Sequence, residues 1–112
     1  MDRNQALQEV KDLGGAYFYD ADAETTNEEI VEQIREDILT TLRLTGLDYW
    51  KRVGDALRIV LAECSEEKLD GAMKAYNLPL RYVGGRGRNL LERLYQAITE
   101  AISTREKTLK SL

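Results

Sequence analysis

The residues with the clearest chemical potential lie together in Gly84-Gly85-Arg86-Gly87-Arg88, just ahead of a helical stretch. Glycines let backbone N–H groups converge on an anion, a helix start adds about half a positive charge, and guanidinium groups grip phosphate in bidentate fashion. Arg81 before the stretch and Arg93 one turn beyond it extend the patch, so Arg81, Arg86, Arg88 and Arg93 are the candidate contacts for phosphate or an acidic partner. The pattern is not a Walker loop, because the Gly-Lys-Ser/Thr ending is missing. Nor is it a dinucleotide fingerprint, which needs a strand–turn–helix context and a different glycine spacing. A plain connector explains the same glycines. Tyr76, Tyr82 and Tyr95 flank the arginines, where aromatic rings suit base stacking and core packing equally.

A second constellation is acidic. Glu28, Glu29, Glu32, Glu36 and Asp37 are expected on one exposed helix surface. Such a row can dock a basic protein or imitate a phosphate backbone toward a basic groove, and an ordinary solvated face has the same composition. The alternate acids Asp20, Asp22 and Glu24 open like a calcium loop, but Thr25 stands where that loop needs glycine and Val31 where it needs glutamate. With no histidine, there is no imidazole base and no Ser-His or Cys-His pair. The lone Cys64 forms no intramolecular disulfide and no CxxC zinc site. No catalytic residue, cofactor or metal ligand is assigned, and the chain reads as a non-enzyme.

Five elements must position these groups. Residues 2–13 carry Ala6, Leu7, Val10 and Leu13 at 3–4 spacing, with Gly14-Gly15 as the expected stop. Residues 26–44 form the clearest helix: Thr26 and Glu29 make a capping box, Ile30, Ile34, Ile38 and Leu42 recur every four residues, and Gly46 is a natural left-handed end. Asp48 is expected to cap a third helix through Glu63, whose broad apolar face of Trp50, Val53, Ala56, Leu57 and Val60 predicts a central element. Gly54 within it is tolerable if another helix approaches closely. Ser65 opens a fourth helix that Asn77-Leu78-Pro79 closes, and a last helix runs from Asn89 to Thr108 on Leu91, Leu94, Ile98 and Ile102. A helix-turn-helix is excluded by about a dozen residues between 65–76 and 89–105, where three or four are needed. Residues 16–19 and 80–83 are aromatic and β-branched, and a minor two-stranded ribbon between them is the one departure from helix considered.

The predicted fold is therefore all-α: a small bundle of four to five helices forming a single domain over residues 1–112. Trp50, Val53, Leu57, Ile34, Ile38, Leu94 and Ile98 are its expected core. No apolar run approaches a membrane span and no basic-then-apolar leader opens the chain, so a reducing cytoplasm without membrane contact is the expected setting. Charge is unevenly spread. Residues 1–46 carry 4 basic and 11 acidic side chains, net −7; residues 79–112 carry 7 and 3, net +4. This asymmetry suggests an adaptor, subunit or regulator that docks a protein partner through charged surfaces, with homo-oligomers among the outcomes. Two other readings stand beside it. One is a nucleic-acid-contacting accessory subunit using the Gly-Arg loop. The other is an inhibitor of a nucleic-acid-processing machine presenting the acidic helix.

Overall fold

The computed structural model describes residues 1–17, 27–65, 67 and 86–112. Asp2 starts the first helix, α1 (Arg3–Tyr17). Its N–H donates to Gln5 Oε1 at 2.9 Å and its carboxylate accepts from the Gln5 N–H at 2.8 Å. This reciprocal box satisfies two groups that a helix start otherwise leaves open. The helix does not stop at Gly14-Gly15 but runs through both glycines to Tyr17. Tertiary anchoring explains the extension: Gly14 is buried, and the Tyr17 ring packs 5.8 Å from that of Trp50.

The second helix, α2 (Asn27–Leu39), ends five residues before the point its apolar period implies. Thr40 and Thr41 end it. The Thr40 hydroxyl donates to the carbonyls of Glu36 and Asp37 at 2.9 and 3.2 Å, and the Thr41 hydroxyl donates to Asp37 at 3.2 Å. Such local bonds compete with continued helix. Leu42 consequently leaves the stripe it would have joined and is 82% exposed. After a single 3-10 turn (Leu44–Gly46), the third helix, α3 (Leu47–Glu63), begins. Gly46 is its N-cap with φ −66°, which is not a left-handed conformation, and Asp48 lies inside the first turn instead of capping it. The glycine is needed for space: a Cβ there would lie 2.6 Å from the Thr41 methyl. The final helix, α4 (Arg86–Lys110), starts three residues earlier and ends two later than its sequence pattern suggests.

Among the described residues the fold is all-α, with four helices and no strand. Ala16 and Tyr17 lie within α1, so the proposed ribbon is not formed at that end; residues 18, 19 and 80–83 lie outside the described residues. So does nearly all of the expected fourth helix, of which Ser65 and Glu67 alone are described. Helix α3 packs on α1 and on α4, and α4 packs in turn on α2. The ion pair of Arg52 with Glu9 and the Tyr17–Trp50 contact set α1 antiparallel to α3. Lys51 with Glu106 at one end and Arg88 with Leu61 at the other set α3 antiparallel to α4. No helix among the described residues is long and apolar enough to cross a membrane.

The core is one apolar cluster with no buried polar or charged side chain among the described residues. Leu13 of α1, Ile34 and Ile38 of α2, Leu47 and Leu57 of α3, and Leu90, Leu91, Leu94 and Ile98 of α4 are its largest fully enclosed members. All seven residues expected in the core from sequence are buried, Trp50 at 6% exposure included. Leu57→Ala removes a side chain that the core encloses completely and should destabilise the protein by about 2–5 kcal/mol in urea unfolding. A loss under about 1 kcal/mol would mean that the site collapses around the missing atoms.

Candidate functional site

Two arginines of the basic patch, Arg88 and Arg93, are described with their side chains; both lie in the first half of α4 and both bond to a neighbouring helix. Arg88 sits in the first turn of the helix, from where it reaches α3. Its Nη2 donates to the Leu61 carbonyl at 2.8 Å, and its Nε donates to Glu92 Oε1 at 3.1 Å. Leu61 lies in the last turn of α3, where carbonyls lack helical partners and the helix dipole is negative, so a guanidinium acts there as a C-terminal cap. Arg93 pairs with Glu28 at the start of α2. The sequence placed these two groups in opposing constellations, one basic and one acidic, and the fold joins them to each other. Arg86 belongs to α4 and not to a loop, and Gly87 is helical too. Arg81, Gly84, Gly85 and the side chain of Arg86 lie outside the described residues.

The cleft between α2 and α4, about 250 Å³, brings Arg35 and Arg93 together with Glu28 and Glu100. Two guanidinium groups beside two carboxylates leave the cleft without the net positive charge that would hold a phosphate. Among the described residues no group of three or more cysteine or acidic side chains is arranged to hold a metal ion.

The acidic constellation divides in two. Glu29, Glu32 and Glu36 are exposed along the outer side of α2, with Glu32 bridged to Arg35 on the same helix, while Glu28, also exposed, turns to Arg93 of α4. Asp37 is different. It is half-buried and faces α1, where it accepts the Tyr17 hydroxyl at 2.5 Å and the Gln33 amide at 3.1 Å. Its place is explained by position: it precedes the core residue Ile38 and follows the outward-facing Glu36, at the edge of the stripe. Burial, and then the hydrogen bond and charge of Asp37, raise the Tyr17 pKa well above the ordinary tyrosine value.

Two further clamps were not read from the sequence. Arg105 Nε donates to the Thr41 carbonyl at 2.7 Å, fastening the end of α4 to the chain leaving α2. A signal for it exists: Arg105 follows the core residues Ile98 and Ala101 by seven and four positions, so a cation stands on an apolar stripe. Lys51 and Glu106 form an ion pair at 2.7 Å between α3 and α4, and Lys110 meets the same carboxylate at 3.3 Å. The hydrogen bond from Lys51, then that from Lys110, holds Glu106 below the usual carboxylate range, and the same Glu106 contact raises the Lys51 pKa. Comparison with known proteins adds no constraint: no family model, curated protein or solved structure matches the chain.

The Tyr17–Asp37 contact makes stability depend on alkaline pH. In the unfolded chain Tyr17 ionises near pH 10, while the folded state retains the proton to higher pH. The unfolded state then binds fewer protons, and stability falls as pH rises above about 10. Tyr17→Phe should cost about 1–2 kcal/mol at pH 7, the range for a hydrogen bond to a charged group at a partly exposed site. It should also flatten the decline in unfolding free energy measured between about pH 9.5 and 11.5. An unchanged slope would show that Tyr17 ionises alike in both states.

Proposed function

We propose that this chain is a non-enzymatic helical interaction protein, an adaptor, subunit or regulator of a larger assembly, that engages a basic protein partner through the outer side of α2. One observation carries the reading: Arg88, Arg93 and Arg105 of the basic final third are bonded to other helices or to the chain leaving α2, whereas Glu36, and Glu32 with only Arg35 of its own helix, project from a helix whose opposite side is anchored in the core. A rigid helix holds these carboxylates at fixed spacing, and complementary potentials steer encounter and fix orientation more than they add affinity. Arg81 and Arg86 are what the nucleic-acid reading retains, since Arg88 and Arg93 already have partners. A reducing cytoplasmic setting is compatible with the single, buried thiol of Cys64.

The test uses the immobilised full chain and its Glu32→Lys/Glu36→Lys variant on native lysate at two salt concentrations. Both positions are exposed, so unfolding free energy should move by no more than about 0.5 kcal/mol per site. The expected result is a set of basic proteins retained by the unaltered chain and lost, about tenfold or more, by the variant and at high salt. If added nucleic acid displaces those proteins, the partner belongs to a nucleic-acid-processing machine. Equal capture by both chains, or a salt-dependent shift of generic DNA or RNA with no protein bound, would overturn the reading.

A further inference from the structure

The solvent-facing side of α3 carries charges in an order that complements itself. Opposite the buried Trp50, Val53, Leu57 and Val60 lie Asp48, Lys51, Asp55 and Arg58, all exposed and spaced three, four and three residues apart. That spacing puts them in one row along the helix. We propose that two copies of this chain associate through this row, antiparallel across a two-fold axis at the level of Val53, so that each Lys51 meets the Asp55 of the other copy and each Asp48 meets the other Arg58. A two-fold interface uses one patch against itself, with residue i on j and j on i. The row satisfies that condition four times. A parallel pairing would place every charge on its own like, and an antiparallel register shifted to bring Lys51 opposite Arg58 would do so for the cations. Repulsion against those alternatives selects one register.

Gly54 supports the contact from a second direction. A glycine in mid-helix costs about 1 kcal/mol relative to alanine. The packing of α4 does not call for it, because a Cβ at Gly54 would meet only Ile98 Cγ2, at an ordinary 3.8 Å. Gly54 borders a hollow of about 370 Å³ beside the charged row, between α3 and α4, lined also by Ile98 and by the half-buried Tyr95 and Ile102. The aliphatic stems of Lys51 and Arg58 from a second copy suit such a hollow, with their charged heads at its rim. The side chains of Asp55 and Arg58 make no hydrogen bond or ion pair among the described residues. Lys51 is held by Glu106, but Lys110 meets the same carboxylate and keeps it neutralised when Lys51 turns toward a second copy. The row lies on α3 and the acidic side chains discussed above on α2, so this inference stands apart from the choice of a basic partner.

Sedimentation velocity on the full chain tests it. One helix face offers less than the roughly 800 Å² per partner of stable interfaces, so a monomer–dimer equilibrium in the micromolar range is expected. Raising salt from about 50 to 500 mM should weaken it about tenfold or more. Asp55→Lys and Lys51→Asp should each leave a monomer, since each sets like charges face to face. Mixed one to one, those two variants should form a heterodimer, because all facing charges are then opposite. Asp48→Lys checks the same register without touching the Lys51–Glu106 pair and should also give a monomer. Circular dichroism of each variant separates loss of association from loss of fold. A chain monomeric at about 200 μM in low salt, a dimer indifferent to Asp55→Lys, or a mixture that stays monomeric would overturn the proposal.

Discussion

Helix α3 buries its apolar side against two neighbours at once, and the other helices are held by what they add to it. Leu47, Trp50, Val53, Ala56, Leu57 and Val60 point inward, with α1 on one flank and α4 on the other. Helix α1 has Ala6, Val10 and Leu13 as its buried apolar edge, too little for a helix of its length to persist alone in water. It forms because Trp50 receives Tyr17 and because Arg52 reaches Glu9. Helix α2 depends on the same element at one remove, through α4. A cavity in the middle of α3 therefore weakens both flanks together.

The uneven charge of the chain has a structural use. The excess of cations in the final third meets acids and carbonyls from earlier in the sequence: Arg93 with Glu28, Arg88 with the end of α3, Arg105 with the end of α2. Exposed pairs of this kind contribute about 0–1 kcal/mol each. The two arginine–carbonyl contacts do more than their charge alone, because they satisfy acceptors at helix ends where the backbone has none to offer. The clamps also fix which end of α4 meets which end of α3, a choice that an apolar stripe by itself leaves open. The carboxylates left facing water on α2 are then a consequence of where the arginines went.

Glycine illustrates how little residue type says without its surroundings. Gly14 and Gly15 interrupt nothing, Gly46 has ordinary helical angles, and Gly87 is part of α4. Gly46 is required by the neighbouring Thr41 methyl, while Gly54 has room for a side chain and lacks one. The first is a demand of folding. The second borders a hollow on the surface, where the missing side chain costs helix propensity without being required by the packing of α4.

The helical class, the identity of the core and the direction in which each apolar side faces were legible in the sequence, because a 3.6-residue period needs nothing beyond the order of residues. Ile34, Ile38, Leu57, Leu94 and Ile98 are where that period puts them. The third helix ends at Glu63 as expected, but the ends of α1 and α2 were not legible, because they depend on competitors for the last hydrogen bonds: threonine hydroxyls shortened α2, and anchoring of Tyr17 lengthened α1. The candidate site was legible only as a list of charges. Arg88, Arg93 and Asp37 could be picked out as chemically able, but an arginine carries the same charge whether it faces water or a carbonyl. Its partner comes from a segment tens of residues away, and only the packing of α3 on α4 and of α4 on α2 brings that partner within hydrogen-bonding distance.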